Sequence, residues 1–343
     1  MQILIVDEGH AGHMTQSRGI ADALAARLRA EVAVLTAHLT LRGFLRPLLR
    51  WLTGRMNRGL PDFLLSLAYR WPRVLPARPD LIVTSGGQGV PLAVSLARRF
   101  RVPLVFCGHP DPYPASWFDA VLSPLPMQGH RCAIQTELLL TGMSPARVAG
   151  RGDAYRAGLP AAGGTQLGSV LVGGDSRSHR FVTADWEALA AGLNRLGLCG
   201  WRWLLTTSRR TPPEAEQLLR EQVRPEYLLH AVWWHAKPEK VVLDFLGAAD
   251  CVFVTQDSLS MVSEAISAGR PVVTLLPAQV ISSAFLEQVL SIQEERRRLR
   301  RVPVSTLESF RFSIDDFTPV TADLAALHAQ QICDSLQLAP RSG

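Results

Sequence analysis

The residues with the most chemistry in them are Thr255-Gln256-Asp257-Ser258-Leu259-Ser260-Met261-Val262-Ser263-Glu264-Ala265, directly after the apolar run Cys251–Thr255. Hydroxyls in the first turn of a helix that follows a strand can hold phosphate oxygens, because the free N–H groups and the helix dipole there favour an anion. Glu264 lies one turn beyond Ser260 on the same face, where a carboxylate can accept two hydrogen bonds from a ribose diol. The same side chains also read as an ordinary cap, with Asp257, Ser258 or Ser260 satisfying a buried helix end. Two more turns point the same way. Gly173-Gly174-Asp175-Ser176-Arg177 puts two glycines, a hydroxyl and a guanidinium after a strand, which suits a diphosphate. Thr206-Thr207-Ser208-Arg209-Arg210-Thr211 combines hydroxyls, Ser208 among them, with the two guanidiniums of Arg209 and Arg210 at a helix start, again suited to phosphate, although capping accounts for Thr211 and the paired arginines also read as a solvated face.

The N-terminal half offers a different set. Glu8-Gly9-His10-Ala11-Gly12-His13 follows the opening strand; its glycines permit close backbone approach, and His10 or His13 can act as a general base near neutrality. Read alone, it is a tight turn with solvated histidines. Thr84-Ser85-Gly86-Gly87-Gln88-Gly89 repeats that geometry, so Gly86 and Gly87 either hold a substrate or let a helix start close to the sheet. The Glu8–His13 turn is not a G-x-G-x-x-G, so a dinucleotide-binding dehydrogenase is not supported.

Other chemistry is missing. There is no D-x-D, so a metal-bridged diphosphate is not expected, and no His/Cys cluster has zinc spacing. No metal and no cofactor are expected. The five cysteines (107, 132, 199, 251 and 333) include no C-x-x-C; Cys107, Cys199 and Cys251 sit in or beside apolar stretches and read as small buried hydrophobes in a reducing compartment.

The elements that must position these residues alternate between short apolar runs and helical patterns. Strands are expected at Gln2–Val6, Asp80–Thr84, Val102–Cys107, Phe118–Leu122, Ser169–Val172, Trp201–Thr206, Cys251–Thr255 and Val272–Leu276. Helices are expected at Met14–Arg29, Val90–Phe100 and Thr183–Leu196, with another opened by Thr211 as N-cap, Pro212 at the first helical position and Glu214 closing a capping box. A Gly- and Ala-rich stretch without periodicity, 149–169, reads as a linker. At 343 residues, the chain reads as two α/β domains with parallel sheets, facing a cleft, with ligands beyond the C-terminal strand ends. The boundaries are 1–150, a linker at 151–168, a second domain at 169–320, and a C-terminal helix in 321–343, for which packing back on the first domain is one arrangement.

The net charge of +6 favours anionic partners. Eight arginines (42, 46, 50, 55, 58, 70, 73 and 78) stand against one acidic residue, Asp62, and interleave with Phe44, Leu45, Leu48, Leu49, Trp51, Leu52, Phe63, Leu64, Leu65, Leu67 and Trp71. Arg42, Arg46 and Arg50 recur at helical spacing, which fits either an interfacial helix on an anionic membrane or an ordinary amphipathic helix. No nucleic-acid reader motif accompanies the charge. A second run, 294–301, reads as a solvated helix with internal ion pairs. With neither a signal-peptide pattern nor a spanning segment in view, a cytoplasmic protein is expected, peripheral at most on the inner face of a membrane.

Three segments carry a family resemblance. They are Asp7–Gln16, Thr207-Ser208-Arg209-Arg210-Thr211-Pro212-Pro213, and Ala248-Ala249-Asp250 with Val254–Ala265. All closely resemble the glycosyltransferase-like mitochondrial fission ELM family, over about residues 3–277, and Asp111-Pro112 and Phe118-Asp119 also fall where similar residues are expected. The family in turn resembles GT-B glycosyltransferases, including the peptidoglycan-precursor N-acetylglucosaminyltransferase. The resemblance implies a GT-B-like fold of two Rossmann-like domains and a metal-independent transferase using a nucleotide diphospho-sugar. The acceptor would be a lipid-linked or envelope glycan. It also implies that Ser258, Ser260 and Glu264 contact donor diphosphate and ribose, that Gly173, Gly174 and Arg209 line the donor side with Ser176, Arg177, Ser208, Asp257 and Met261, and that His13 is the base of an acceptor side including Gly12, Gly86 and Gly87. Two segments depart from the family pattern, Ser123-Pro124-Leu125-Pro126-Met127 and His235-Ala236-Lys237-Pro238. A non-catalytic adaptor that keeps this shape, or a nucleotide-sugar epimerase, would read similarly.

Overall fold

A computed structural model describes residues 1–41, 43–72, 75, 77–127, 129, 133–160, 166–281 and 283–340. The chain divides into two compact units, Met1–Gly142 with Leu324–Gly343, and Met143–Asp323.

In the first unit the elements are β1 (Gln2–Asp7), α1 (Ala11–Leu28), β2 (Glu31–Thr36), α2 (Arg46–Arg55), α3 (Asp62–Ala68), β3 (Leu81–Ser85), α4 (Val90–Phe100), β4 (Leu104–Cys107), β5 (Ala120–Ser123) and β6 (Ala133–Gln135). The six strands form one parallel sheet in the order β2-β1-β3-β4-β5-β6. Alternation along β1 sends Ile3 and Ile5 to one face, with Ile20, Leu24 and Leu28 of α1, and sends Leu4 and Val6 to the other, with Val90 and Val94 of α4. Such a doubly covered parallel sheet needs apolar residues on both faces of its strands. The order reverses between β1 and β3, so the loops leaving those two strands emerge side by side at the switch point.

The second unit holds α5 (Pro145–Ala157), β7 (Gln166–Val172), α6 (Thr183–Leu198), β8 (Trp201–Thr207), α7 (Pro213–Gln222), β9 (Leu228–Val232), α8 (Val242–Ala248), β10 (Cys251–Thr255), α9 (Leu259–Ser267), β11 (Val272–Leu276), α10 (Ala284–Glu295) and β12 (Leu299–Pro303). Its parallel sheet runs β9-β8-β7-β10-β11-β12. The switch point falls between β7 and β10. The remaining helix, α11 (Leu324–Leu336), packs on α1, with Ala329 and Ile332 buried beside Leu24. The chain is therefore α/β with two parallel six-stranded sheets, as its strand–helix alternation predicts.

Several local expectations change. Helix α1 starts at Ala11, because an extended His10 serves as N-cap and its carbonyl accepts from Met14 N, so Gly12 and His13 belong to the first helical turn. Thr211 is not the cap of α7: that helix begins at Pro213, and the Thr211 hydroxyl instead reaches the end of β7. The stretch read as a linker contains most of α5, whose start is fixed by Ser144 accepting from Arg147 N, while 161–165 lie outside the described residues. The basic run 294–301 is not one helix, since Leu299–Pro303 is the edge strand β12 and its Arg301 pairs with Glu287 and Glu294. Cys199 is exposed at the C-cap of α6, not buried; Cys107 and Cys251 are buried, and Cys132 lies outside the described residues. Helix α2 begins at Arg46, with Pro47 in its first turn, and Arg42 lies outside the described residues.

Candidate functional site

In the second unit the three turns singled out by their glycines and hydroxyls leave adjacent strands, β8, β7 and β10, at the same C-terminal edge. They interlock. Gly173 N donates to Thr255 Oγ1 at 2.7 Å, and the Thr211 hydroxyl sits 2.6 Å from the Gly173 carbonyl. A Cβ on Gly173 would come within 2.3 Å of the Asp257 carboxylate, and one on Gly174 within 2.0 Å of the Arg210 carbonyl. Only glycine allows these loops to approach so closely.

Asp257 is turned inward. Its side chain is fully buried, 2.6 Å from Arg210 Nη2, whose guanidinium also lies 3.9 Å from Met261 Sδ. Burial raises the Asp257 carboxyl above its usual range, partly offset by Arg210 and by Thr255. Arg210 thus ties the β8 loop to the start of α9. Arg209 differs: it is exposed and has no acidic partner among the described residues. Ser258 caps α9, its hydroxyl accepting from Met261 N, with Ser260 Oγ 3.1 Å away. Glu264 follows one turn later, only partly exposed, and burial pushes its carboxyl up to about 7. Ser176 is used locally, accepting from Ser178 N and His179 N, while Arg177 is exposed. The Ser208 loop is braced from beneath. The buried Glu216 accepts from Thr207 Oγ1 at 2.6 Å and from His235 N, and His235 Nε2 lies 2.8 Å from the Thr211 carbonyl. The result is a rigid edge of glycine backbone, serine hydroxyls and a free guanidinium at a helix start, an arrangement suited to oxyanions.

In the first unit the residue that organises the site is Glu8. Its side chain is 3% exposed, and Oε1 lies 2.6 Å from His13 Nδ1. Oε2 accepts from Gln88 N at 2.6 Å and Gly89 N at 3.1 Å, so the loops after β1 and β3 share one carboxylate. Gly86, at φ +79°, leaves the necessary room; a Cβ there would stand 2.3 Å from Glu8 Oε1 and 2.4 Å from His13 Nδ1. Burial works to raise the Glu8 carboxyl, but the His13 hydrogen bond and charge and the two backbone N–H groups outweigh it and hold it below its ordinary value. An ionised carboxylate only accepts, so His13 must carry its proton on Nδ1, leaving Nε2 as the basic nitrogen. His10 stacks at an angle beside it, ring centroids 5.5 Å apart. Gly12 sits in the same helical turn, and Gly87 is held by its carbonyl, which accepts from Tyr113 Oη at 2.7 Å. Glu8 was not among the residues expected to act; the available signal is an acid at a strand end five residues before a histidine.

Among the described residues no group of three or more His, Cys, Asp or Glu is arranged to hold a metal ion, and no helix is long and apolar enough to cross a membrane.

Comparison with solved structures gives the fold a precedent. Over 100% of this chain and 99% of the other, it is similar to a putative UDP-N-acetylglucosamine 2-epimerase from Listeria monocytogenes (TM-score 0.54, 13% identity). It is also similar to a UDP-GlcNAc 2-epimerase from Neisseria meningitidis bound to UDP-GlcNAc (TM-score 0.52, 11% identity, 97% and 100% covered), and to S. aureus MnaA with UDP (TM-score 0.51, 12% identity, 99% and 100% covered). Together with the two doubly wound sheets, this makes the fold GT-B-like. In sequence, 151 residues are 22% identical to the uncharacterized protein RP120 of Rickettsia prowazekii (strain Madrid E), covering 43% of this chain and 42% of that protein's length. The sequence profile described as Mitochondrial fission ELM1 matches residues 11–312. The chain belongs to the mitochondrial fission ELM1 family.

Proposed function

We propose that the protein is a metal-independent GT-B-type glycosyltransferase using a nucleotide diphospho-sugar. The observation that carries this reading is the interlocked edge at β8, β7 and β10, with an unpaired Arg209 and the hydroxyls of Ser258 and Ser260 beside glycine backbone. The diphosphate would rest on Gly173, Gly174, Ser258 and Arg209, and Glu264 would accept from the ribose hydroxyls. In the reaction, an acceptor oxygen bonds to the anomeric carbon as the carbon–oxygen bond to the diphosphate breaks. The acceptor proton passes to His13 Nε2, and nucleoside diphosphate leaves. Glu8 holds His13 in the tautomer this requires. Fixed donors at the departing diphosphate stabilise charge as it develops.

The acceptor we favour is carried by a lipid at an anionic surface. Helices α2 and α3 support this by exposing Trp51 at 55%, Phe63 at 70% and Leu67 at 68% among arginines. A second reading, a nucleotide-sugar epimerase, is favoured by the likeness of the fold to the epimerases of Listeria and Neisseria.

A thermal-shift screen over nucleoside diphosphates and their sugars tests the donor site, since a ligand of the native state raises apparent stability. The preferred donor is then incubated without acceptor. Release of free sugar by hydrolysis supports a transferase, conversion to a stereoisomeric nucleotide sugar supports the epimerase, and no shift with any donor overturns both.

A further inference from the structure

The first unit holds a cavity that the donor and base residues do not use. It has a volume of about 310 Å³ and lies between α2 and the loop after β3. Leu39, Leu49, Pro91 and the rings of Tyr69 and Tyr113 form apolar walls. The tyrosines are apolar here because their hydroxyls are already spent, Tyr69 Oη donating to the Gln88 carbonyl at 2.6 Å and Tyr113 Oη to that of Gly87 at 2.7 Å. Arg46 and Arg50 stand in the lining one helical turn apart, with no carboxylate beside them in it. Arg50 donates to the Pro112 carbonyl at 3.2 Å, and Arg46 has no acidic partner among the described residues. Pro47, Arg50 and Pro112 also line a second, shallower furrow that continues along α2 to Trp51 and Trp117.

An apolar channel with two guanidiniums and no anion fits a ligand that is greasy along its length and anionic at one end.

We propose that this groove binds a lipid phosphate, its aliphatic chain lying along α2 and its phosphate on Arg46 and Arg50. The cavity is walled by Gly87 and Gln88, and the latter's N–H meets Glu8. A phosphate held there presents whatever it carries toward the Glu8–His13 pair. That this lipid is the carrier of the acceptor rests on the transferase reading; its binding does not.

The test is calorimetry of the full chain with dodecyl phosphate below its micellar concentration. The comparison ligands are dodecanol, inorganic phosphate and phosphatidylglycerol vesicles, and UDP is titrated in parallel. Dodecyl phosphate should bind saturably, dodecanol roughly tenfold or more weakly, as expected for losing charge-assisted hydrogen bonds. Inorganic phosphate alone should give no measurable heat. Arg46→Glu with Arg50→Glu should weaken dodecyl phosphate by at least about tenfold. Gly43→Trp tests occupancy separately. Gly43 lines the cavity, and a Cβ there meets nothing within 4 Å, so a bulky side chain has room at this wall and is expected to narrow the groove and weaken dodecyl phosphate. Unchanged binding in both variants, equal binding of dodecanol, or binding to vesicles only would overturn the groove. Lipid binding without UDP binding would count against the transferase and leave the groove standing; UDP binding without lipid binding would do the reverse.

Discussion

Glu8→Gln separates positioning from chemistry. In the native arrangement Oε2 accepts from Gln88 N and Gly89 N, and Oε1 faces His13 Nδ1 at 2.6 Å. An amide has one oxygen. Keeping the two backbone N–H bonds places that oxygen where Oε2 was and turns the NH₂ toward His13. Nδ1 must then accept, which moves the imidazole proton to Nε2 and removes the lone pair needed as base. The size is near-isosteric, so the loss is chemical: turnover should fall on the order of 10²-fold or more, the range for a general base. Donor affinity should not move, because Glu8 is not among the donor residues.

Stability provides a second readout of Glu8→Gln. Exchanging a charge-assisted bond for a neutral one costs about 1–2 kcal/mol. The Glu8 carboxyl is held below its ordinary value of 4.5, so its contribution is present above that value and is lost as pH falls through the lower folded value. Wild type and variant should therefore differ in melting temperature at neutral pH and draw together as pH falls below 4.5. Donor hydrolysis and thermal melts across pH give both readouts. Wild-type turnover in the variant, or a melting difference that ignores pH, would refute the tautomer argument.

Glu264→Gln should have opposite effects on stability and binding. Burial lifts this carboxyl from 4.5 to about 7, so ionising it costs stability as pH rises through that window. The amide should thus raise the melting temperature at about pH 8, by up to about 3 kcal/mol in stability, while weakening UDP binding by calorimetry. Arg209→Ala should leave stability within about 0.5 kcal/mol yet weaken UDP roughly tenfold. Arg210→Ala should instead destabilise by about 3 kcal/mol in denaturant melts, because it strands the buried Asp257. Gly174→Ala should cost at least about 1–3 kcal/mol and abolish UDP binding, since its Cβ would strike the Arg210 carbonyl at 2.0 Å.

What the sequence disclosed follows from what kind of signal each feature has. Parallel strands covered on both faces are short apolar runs, so Cys251–Thr255 and Val272–Leu276 could be bounded by pattern alone. The edge strand β12 could not. Its Leu299-Arg300-Arg301-Val302-Pro303 alternates only because one side faces solvent and Glu287 and Glu294, and its arginines mimic a charged helix. Helix α5 was hidden by Gly150 and Gly152. Gly152 is there because Gly247 of α8 approaches it so closely that a Cβ would stand 2.0 Å from the Gly247 carbonyl carbon. A glycine chosen for helix contact looks identical in sequence to one chosen for a linker.

The arginine pair shows the same limit inside the site. Arg209 and Arg210 are adjacent and chemically identical, and nothing in the sequence assigns them different duties. The structure does: one guanidinium neutralises Asp257 from within, and the other remains exposed without an acid. Asp257 shifts accordingly, from a side chain that could face a ligand to the counter-charge that lets Gly173, Gly174 and the start of α9 meet. Glu8 makes the complementary point for the first unit. Its partners are one histidine five residues away and two backbone N–H groups eighty residues on. Backbone donors leave no mark on a sequence. The reach from β1 to β3 becomes visible only once the fold sets their loops side by side, at the place where the strand order reverses.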